Sequence, residues 1–338
     1  MWCAGRGKYT PTASQCSTAE SVGKMSGKIE VTIVCPTYNH GQYIADALAG
    51  FEMQVTDFAF EVIIHDDAST DETPNVIRNF AVQSDLPVTV IEQPENIYSR
   101  GISYIDYVLP LIKGKYVAIC EGDDYWTDSK KLQMQYDYLE THPDCSSVTH
   151  AAKIFDMAKG KINGVIASSD HEEDYSVERV IKAGGGLYSP CTCFFKKKLF
   201  DLPTEFRDWG IGDYPRAIRC AEDGPIHFLP QAMAVYRYGV PGSWTNRIKN
   251  REQAMRELNI RIEKLRELNR LRNHRYEDEI TYSISKTSFL RNVEVGDWRE
   301  ATTKLGRLYY EDIPPVQKVK FWAKARFPQA YEMIKRLK

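Results

Sequence analysis

The 338 residues hold no apolar run approaching the ~18 that a bilayer span requires, which excludes an integral membrane protein built on helices. Charge of one sign is also scarce. A net charge of −2 gives no global attraction to nucleic acid or anionic lipid, so such contact has to be local, and no nucleic-acid partner is expected. The cysteines, at positions 3, 16, 35, 120, 145, 191, 193 and 220, follow no regular framework, which argues against a disulfide-stapled scaffold. Cys191 and Cys193 have a single residue between them and no His-rich partner, so zinc spacing is missing too. Cys35 and Cys120 end apolar runs, where a thiol behaves as a small hydrophobe. The set suits a reducing cytoplasm. Residues 1–28 contain no signal-peptide core and, rich in Ser, Thr and Gly, are expected to be a disordered lead-in. Met25 is an alternative start, and no internal repeat is found.

What is present is an ordinary globular balance, 43% hydrophobic and 27% charged, so a packed core is expected. The length allows one large domain, or one domain with a helical extension. From 29 to about 140 strand and helix signals alternate. Strands are expected at Ile29–Cys35, Phe60–His65, Pro87–Glu92 and Tyr116–Cys120, with helices at Gln42–Met53, from Ser69 as cap, and at Ile102–Ile112. Strands separated by helices of this length imply right-handed crossovers and a parallel sheet. Further strands are expected near Ser147–Phe155, Thr192–Lys196 and Ala232–Tyr238. Asn250–Arg272 is predicted to be a helix with Met255, Leu258, Ile262 and Leu265 on one stripe, followed by helices broken at Pro314, Pro315 and Pro328.

In a parallel sheet, ligands bind beyond the carboxyl ends of the strands. Polar clusters follow three of the strands here: Thr37-Tyr38-Asn39, Asp66-Asp67 and Glu121-Gly122-Asp123-Asp124. One such cluster is explained by turn chemistry alone, whereas three on one rim favour a site. The carboxylates of Glu121, Asp123 and Asp124 would repel one another. At ~4 Å and an effective dielectric of about 20, each pair costs on the order of 4 kcal/mol unless a cation or donors sit among them. Oxygen-only ligands favour a hard divalent ion, Mg²⁺ or Mn²⁺, whose shell is completed by phosphate oxygens and water.

The runs KIEVTIVCPTY (Lys28–Tyr38), EVIIHDDASTDET (Glu61–Thr73) and GKYVAICEGDDYW (Gly114–Trp126) resemble the nucleotide-binding half of the family 2 inverting glycosyltransferases. EGDDYWTDSKKLQ (Glu121–Gln133) is similar to bacterial members that build surface polysaccharides. The resemblance covers roughly 29 to 245 and implies an α/β GT-A fold, Rossmann-like with a mostly parallel sheet, and a C-terminal helical extension over 246–338. It implies transfer of a sugar, with inversion, from a nucleotide-diphosphate donor of the UDP type to a hydroxyl of a glycan or lipid-linked acceptor. Carried over by position, Pro36, Thr37 and Tyr38 line the base and ribose, and Asp67 meets the imide of a uracil-like base. Arg100 and Gly101 approach the nucleotide. Asp123 contacts the ribose and, with Asp124, holds Mn²⁺ or Mg²⁺ on the diphosphate. Glu121 stands where many relatives have Asp. Asp213, in Trp209–Pro215, matches the catalytic base; taken alone, it reads rather as a helix cap after Gly212. Ser189, Cys191, Thr192 and Trp244 fall in acceptor-facing regions, and Trp126 is either a sugar-stacking ring or core. Many metal-dependent relatives carry a His after the strand matching Ala232–Tyr238; here there is none, so either Asp124, phosphate and water suffice or Arg237 helps neutralise the diphosphate. His227, in an apolar run, is expected to be a packed histidine.

Residues 316–338 hold seven basic side chains against one acid, interleaved with Phe321, Trp322, Phe327 and Tyr331. Such a helix suits docking to an anionic membrane, at the inner face of the cell membrane for a cytoplasmic protein. Two other readings remain. A sugar nucleotidyltransferase would need a Gly-rich basic loop after the first strand, where Pro36–Gly41 stands instead. An inactive scaffold would dimerise through the 250–272 stripe, yet has no need of Asp67, Asp123, Asp124 and Asp213 together.

Overall fold

The computed structural model describes residues 17–20, 27–207, 209, 212–243 and 251–331. β2 (Ile29–Thr37) and β3 (Ala59–Asp66) are rich in β-branched residues and buried on both faces, as central parallel strands are. β4 (Val88–Glu92) pairs parallel with β3, and β5 (Tyr116–Ile119) parallel with the other edge of β2. The order β4-β3-β2-β5 therefore reverses direction at β2, and the crevice between the carboxyl ends of β2 and β5 is the topological switch point. Beyond β5 the sheet continues through antiparallel β10 (Phe194–Lys196), then β7 (Ser147–Asp156) and β11 (Ile226–Tyr238), which run parallel to each other, and the short β6 (Tyr125–Trp126). β8 (Lys161–Ile166) and β9 (Glu173–Tyr175) extend β7 and β11.

Strand alternation sends side chains to two cores. Val31, Ile33 and Cys35 pack with α1 (Ile44–Glu52), α2 (Thr73–Gln83) and, across Leu132 and Leu139, α4 (Lys131–Thr141). Val34, Val117 and Ile119 pack on the other face with α5 (Val177–Ala183) and α6 (Asp213–Asp223). Leu258, Ile262 and Leu265 of α7 (Arg251–Leu271) join that second core, followed by Ile280 and Ile284 of α8 (Glu277–Glu294). The 250–272 stripe is thus covered by its own chain, which removes the dimer seam expected of it. A third cluster, built on Phe289, Val293, Ala301, Ile313 and Ala325, joins α8 to α9 (Trp298–Ala301), α10 (Arg307–Asp312) and α11 (Pro315–Arg326).

Several elements differ from the expected ones. Ser17–Glu20, inside the expected disordered lead-in, is the edge strand β1, antiparallel to β4. The helix expected from Ser69 begins at Thr73, with Pro74 in its first turn. Ser69 instead bonds the Asp66 carboxylate, and the Asp71 carboxylate accepts Thr73 N–H at 3.0 Å. The expected 102–112 helix shrinks to α3 (Ile105–Val108), continued only by a 3₁₀ turn that carries Pro110. β11 starts at Ile226 rather than Ala232, the irregular register between Leu229 and Ala234 absorbing Pro230.

Candidate active site

The loops after β2 and β3 hold each other in place. Asn39 N–H donates to Ser69 Oγ at 2.8 Å, Thr70 N–H to Asn39 Oδ1 at 2.8 Å, and Gly41 N–H to Asp71 Oδ2 at 2.9 Å. Asn39, with φ of 56°, and Ala68, with φ of 61°, make the turns that this interlock requires. It leaves Thr37 buried and Tyr38 exposed at the carboxyl end of β2. Pro36 lies beneath, its carbonyl accepting Gly122 N–H at 3.1 Å, which ties the first motif to the third.

Asp67 is buried, and its Oδ1 and Oδ2 accept the N–H groups of Ile97 and Tyr98 at 2.7 and 3.1 Å. These bonds set the 3₁₀ turn Tyr98–Arg100 against the rim. Arg100, exposed, pairs with Glu95, and Gly101 follows in the left-handed conformation, φ 71°, facing open space. Each Asp67 oxygen keeps acceptor capacity beyond its backbone bond.

The third motif divides by depth. Asp124 is buried under the rim, Oδ1 accepting Arg237 N–H at 2.8 Å. Burial, reinforced by Asp123, pushes its carboxyl well above the ordinary range. Asp123 lies nearer the opening, with Oδ2 3.8 Å from His40 Nε2, and its carbonyl accepts Arg237 Nη1 at 2.8 Å. Glu121 turns one oxygen, Oε2, into the interior with no hydrogen-bond partner. Burial raises this carboxyl strongly, and the neighbouring charges of Asp213, Asp124 and Asp123 add to the rise. The same interaction marks Asp213 as the carboxylate facing Glu121 across the site.

Asp213 opens α6 after Gly212 and is exposed at its surface, although protein mass surrounds it densely. That desolvation raises its carboxyl pKa, and the guanidinium groups of Arg216 and Arg261 oppose the rise. Arg216 is itself anchored, Nη1 donating to the carbonyls of Leu199 and Phe200 at 2.8 Å. Glu121 thus lies within electrostatic reach of both Asp123 and Asp213.

Other residues singled out in the sequence lie away from the rim's surface. Trp126 is core: it is 2% exposed, its Nε1–H donates to the Cys191 carbonyl at 2.8 Å, and Lys131 Nζ lies 3.9 Å from its ring centroid. Thr192 is fully buried, its hydroxyl donating to the Ser189 carbonyl at 2.7 Å and meeting Thr149 Oγ1 at 2.6 Å, so no acceptor reaches it. Ser189 and Cys191 are buried beside it. Trp244 lies outside the described residues. Arg237 does not face a diphosphate; its guanidinium joins Asp46 of α1 to the Asp123 carbonyl and sits 4.4 Å from the Tyr125 ring centroid. His227 is packed, stacked on Tyr138 with Nδ1 2.7 Å from Asp174 Oδ1.

His40 was missed. Its Nδ1 is 3.1 Å from Thr37 Oγ1, and burial lowers its pKa against the pull of Asp123. Its only sequence signal is its position three residues beyond Thr37. Among the described residues no three His, Cys, Asp or Glu side chains form a ready-made metal cage. A groove of about 600 Å³ lies at the other end of α6 from Asp213, but the ion pairs of Arg272 with Glu222 and Glu205 occupy its wall.

The carboxylates stand at the switch point of an open α/β sheet, the place where ligands bind in such folds, and comparison makes the class specific. Residues 32–202 match glycosyl transferase family 2, and the chain belongs to that family. It is 34% identical over 226 residues to an uncharacterized protein of Mycobacterium tuberculosis, a match that spans 66% of this chain and 63% of the relative. Its fold is that of Staphylococcus aureus TarS 1–349 in complex with UDP-GlcNAc, with a TM-score of 0.52 at 16% identity over 89% of this chain and 93% of the other. It is also that of the mannosyltransferase PcManGT from Pyrobaculum calidifontis in complex with GDP-Man and Mn²⁺, with a TM-score of 0.51 at 18% identity over 92% and 88% of the two chains. The GT-A fold is therefore established, and the chain spans 63% of the length of the curated Mycobacterium tuberculosis relative. No described helix is long and apolar enough to cross a membrane.

Proposed function

We propose that this chain transfers a sugar from a UDP-linked donor to a hydroxyl of a glycan or lipid-linked acceptor, with inversion, in the assembly of a surface polysaccharide. The observation that carries the reading is the acidic Glu121–Asp124 turn following β5 at the switch point, with Asp213 near enough to add to the rise of the Glu121 carboxyl. Asp67 supports a uracil base, because its carboxylate is fixed by two backbone N–H groups and can still accept an imide N–H. Thr37 and Tyr38 flank the ribose, and Arg100 and Gly101 border the nucleotide from the opposite loop.

Asp213 takes the proton of the acceptor hydroxyl as its oxygen bonds to the anomeric carbon. The electrons of the breaking carbon–oxygen bond leave with the nucleotide diphosphate on the opposite face. The raised pKa of Asp213 moves it toward the operating pH, where a general base works best. The donor set is oxygen-rich and holds an orphaned buried carboxylate oxygen on Glu121, which fits a hard divalent cation, Mn²⁺ or Mg²⁺. Asp123 would hold it at the rim, with Asp124 supporting from beneath. Such an ion supplies charge neutralisation to the leaving diphosphate.

Asp213→Asn tests the reading: UDP binding by calorimetry stays within a factor of two or so, and turnover falls by ~10² or more. Normal turnover in this variant would overturn the base assignment. A scaffold reading has lost its dimer seam, because Leu265 is fully buried within the chain.

α11 supports a membrane partner. Its Phe321 ring packs edge-on against Phe289 at 5.2 Å, while Val316, Val319 and Trp322 point outward, with Phe327 just beyond the helix also exposed. Lys318, Lys320, Lys324 and Arg326 bracket these apolar side chains. That combination fits a bilayer containing anionic lipid. Val319→Glu with Trp322→Glu abolishes co-sedimentation with phosphatidylglycerol vesicles; retention would sink the membrane role.

A further inference from the structure

We infer that His40 is a nitrogen ligand of the cation at this rim, sharing it with Asp123, in the place left by the histidine missing after β11. The inference rests on the cation-dependent glycosyltransferase reading above and adds a residue to it. Three observations support it.

His40 Nε2 and Asp123 Oδ2 are 3.8 Å apart. That is too long for a hydrogen bond, so the two groups face each other without a direct bond. Neighbouring ligands of an octahedral ion with bonds of about 2.1 Å are separated by roughly 3 Å, so closing the gap by under an ångström brings both onto one ion. The imidazole is also oriented for the task. Nδ1, 3.1 Å from Thr37 Oγ1, can donate its hydrogen to that hydroxyl, which leaves the Nε2 lone pair directed at the carboxylate. A ligating histidine is commonly fixed in this way through its second nitrogen. Finally, the backbone is shaped to let the ring in. A Cβ on Gly122 would lie 2.5 Å from Thr37 Oγ1 and 3.0 Å from His40 Nδ1. The glycine of Glu121-Gly122-Asp123-Asp124 therefore makes room for the Thr37–His40 pair beside Asp123.

Two protein ligands, with diphosphate and water completing the shell, need no cage of three side chains, consistent with its absence among the described residues. A nitrogen donor also carries a chemical consequence. Mg²⁺ is held by oxygen ligands and water, so an imidazole in the shell disfavours Mg²⁺ relative to a first-row transition ion such as Mn²⁺.

The test is pulsed electron paramagnetic resonance on the full chain with Mn²⁺ and UDP. The expected result is ¹⁴N modulation from a coordinated imidazole in the wild type, absent in His40→Ala. In that variant Mn²⁺ affinity in the presence of UDP falls about tenfold or more, and the preference for Mn²⁺ over Mg²⁺ narrows. Mn²⁺ bound without nitrogen coupling in the wild type overturns the role of His40 and leaves the cation reading intact. UDP bound with no Mn²⁺ taken up overturns both. If His40→Ala does not fold, the wild-type spectrum alone decides.

Discussion

Truncating Trp126 to alanine removes a fully packed ring, its 2.8 Å bond to the Cys191 carbonyl and the seat of Lys131 Nζ. The expected loss is roughly 3–5 kcal/mol of stability, with donor affinity unchanged in the protein that remains folded. Urea denaturation with UDP titration checks it; a stable variant with impaired acceptor use would restore the sugar-stacking role. At this scale Asp67 and Asp123 are marked in the sequence because acidic side chains at strand ends announce themselves by position. The sequence could not separate Asp123 from Asp124. Adjacent carboxylates look alike in a string of letters, and only the Arg237 N–H, 113 residues further along, turns one of them inward. The two readings of Trp126, and the acceptor-facing reading of Thr192, could not be decided from the sequence for a related reason: aromatic and hydroxyl side chains serve cores and sugar sites equally, and their partners Cys191, Thr149 and Ser189 are matters of packing.

At the scale of elements, α7 carries its information in periodicity. Leu258, Ile262, Leu265 and Leu268 are buried beside α5, α6 and α8. Leu265→Ala therefore costs about 2–5 kcal/mol and leaves the mass by light scattering unchanged; a shift in mass with little loss of stability would point to an intermolecular seam. The stripe was visible in the sequence, whereas its partner was not, since a heptad-like face does not say whether the facing surface belongs to the same chain. The parallel strands β2, β3, β4 and β5 were legible nearly to the residue, as short β-branched runs between helices. Losses came where proline or side-chain bonding overrode the local pattern. Pro110 shortened α3, and α2 starts only at Thr73, whose N–H and hydroxyl are taken by the Asp71 carboxylate. β1 gave no signal, because Ser-Thr-Ala-Glu has no alternation and its pairing with β4 is entirely long-range.

For the molecule as a whole, Glu121 and Asp124 have carboxyl groups raised by burial. The folded state then binds more protons than the unfolded one between the ordinary carboxylate range and these raised values. Stability in chelator falls as pH rises through that window. Scanning calorimetry from pH 5 to 8 should show a declining melting temperature, and Mn²⁺ with UDP should recover it most at the alkaline end. A flat profile would mean that the rim carries no such strain. The family match ends at residue 202, before the strand that supplies Arg237. That arginine buckles α1 to the Glu121–Asp124 turn, through Asp46 on one side and the Asp123 carbonyl on the other. The recognisable motifs are consequently not a detachable cassette: a fragment cut at 202 would keep the whole span of the family match and forfeit both Asp213 and the fastener that seats the third motif.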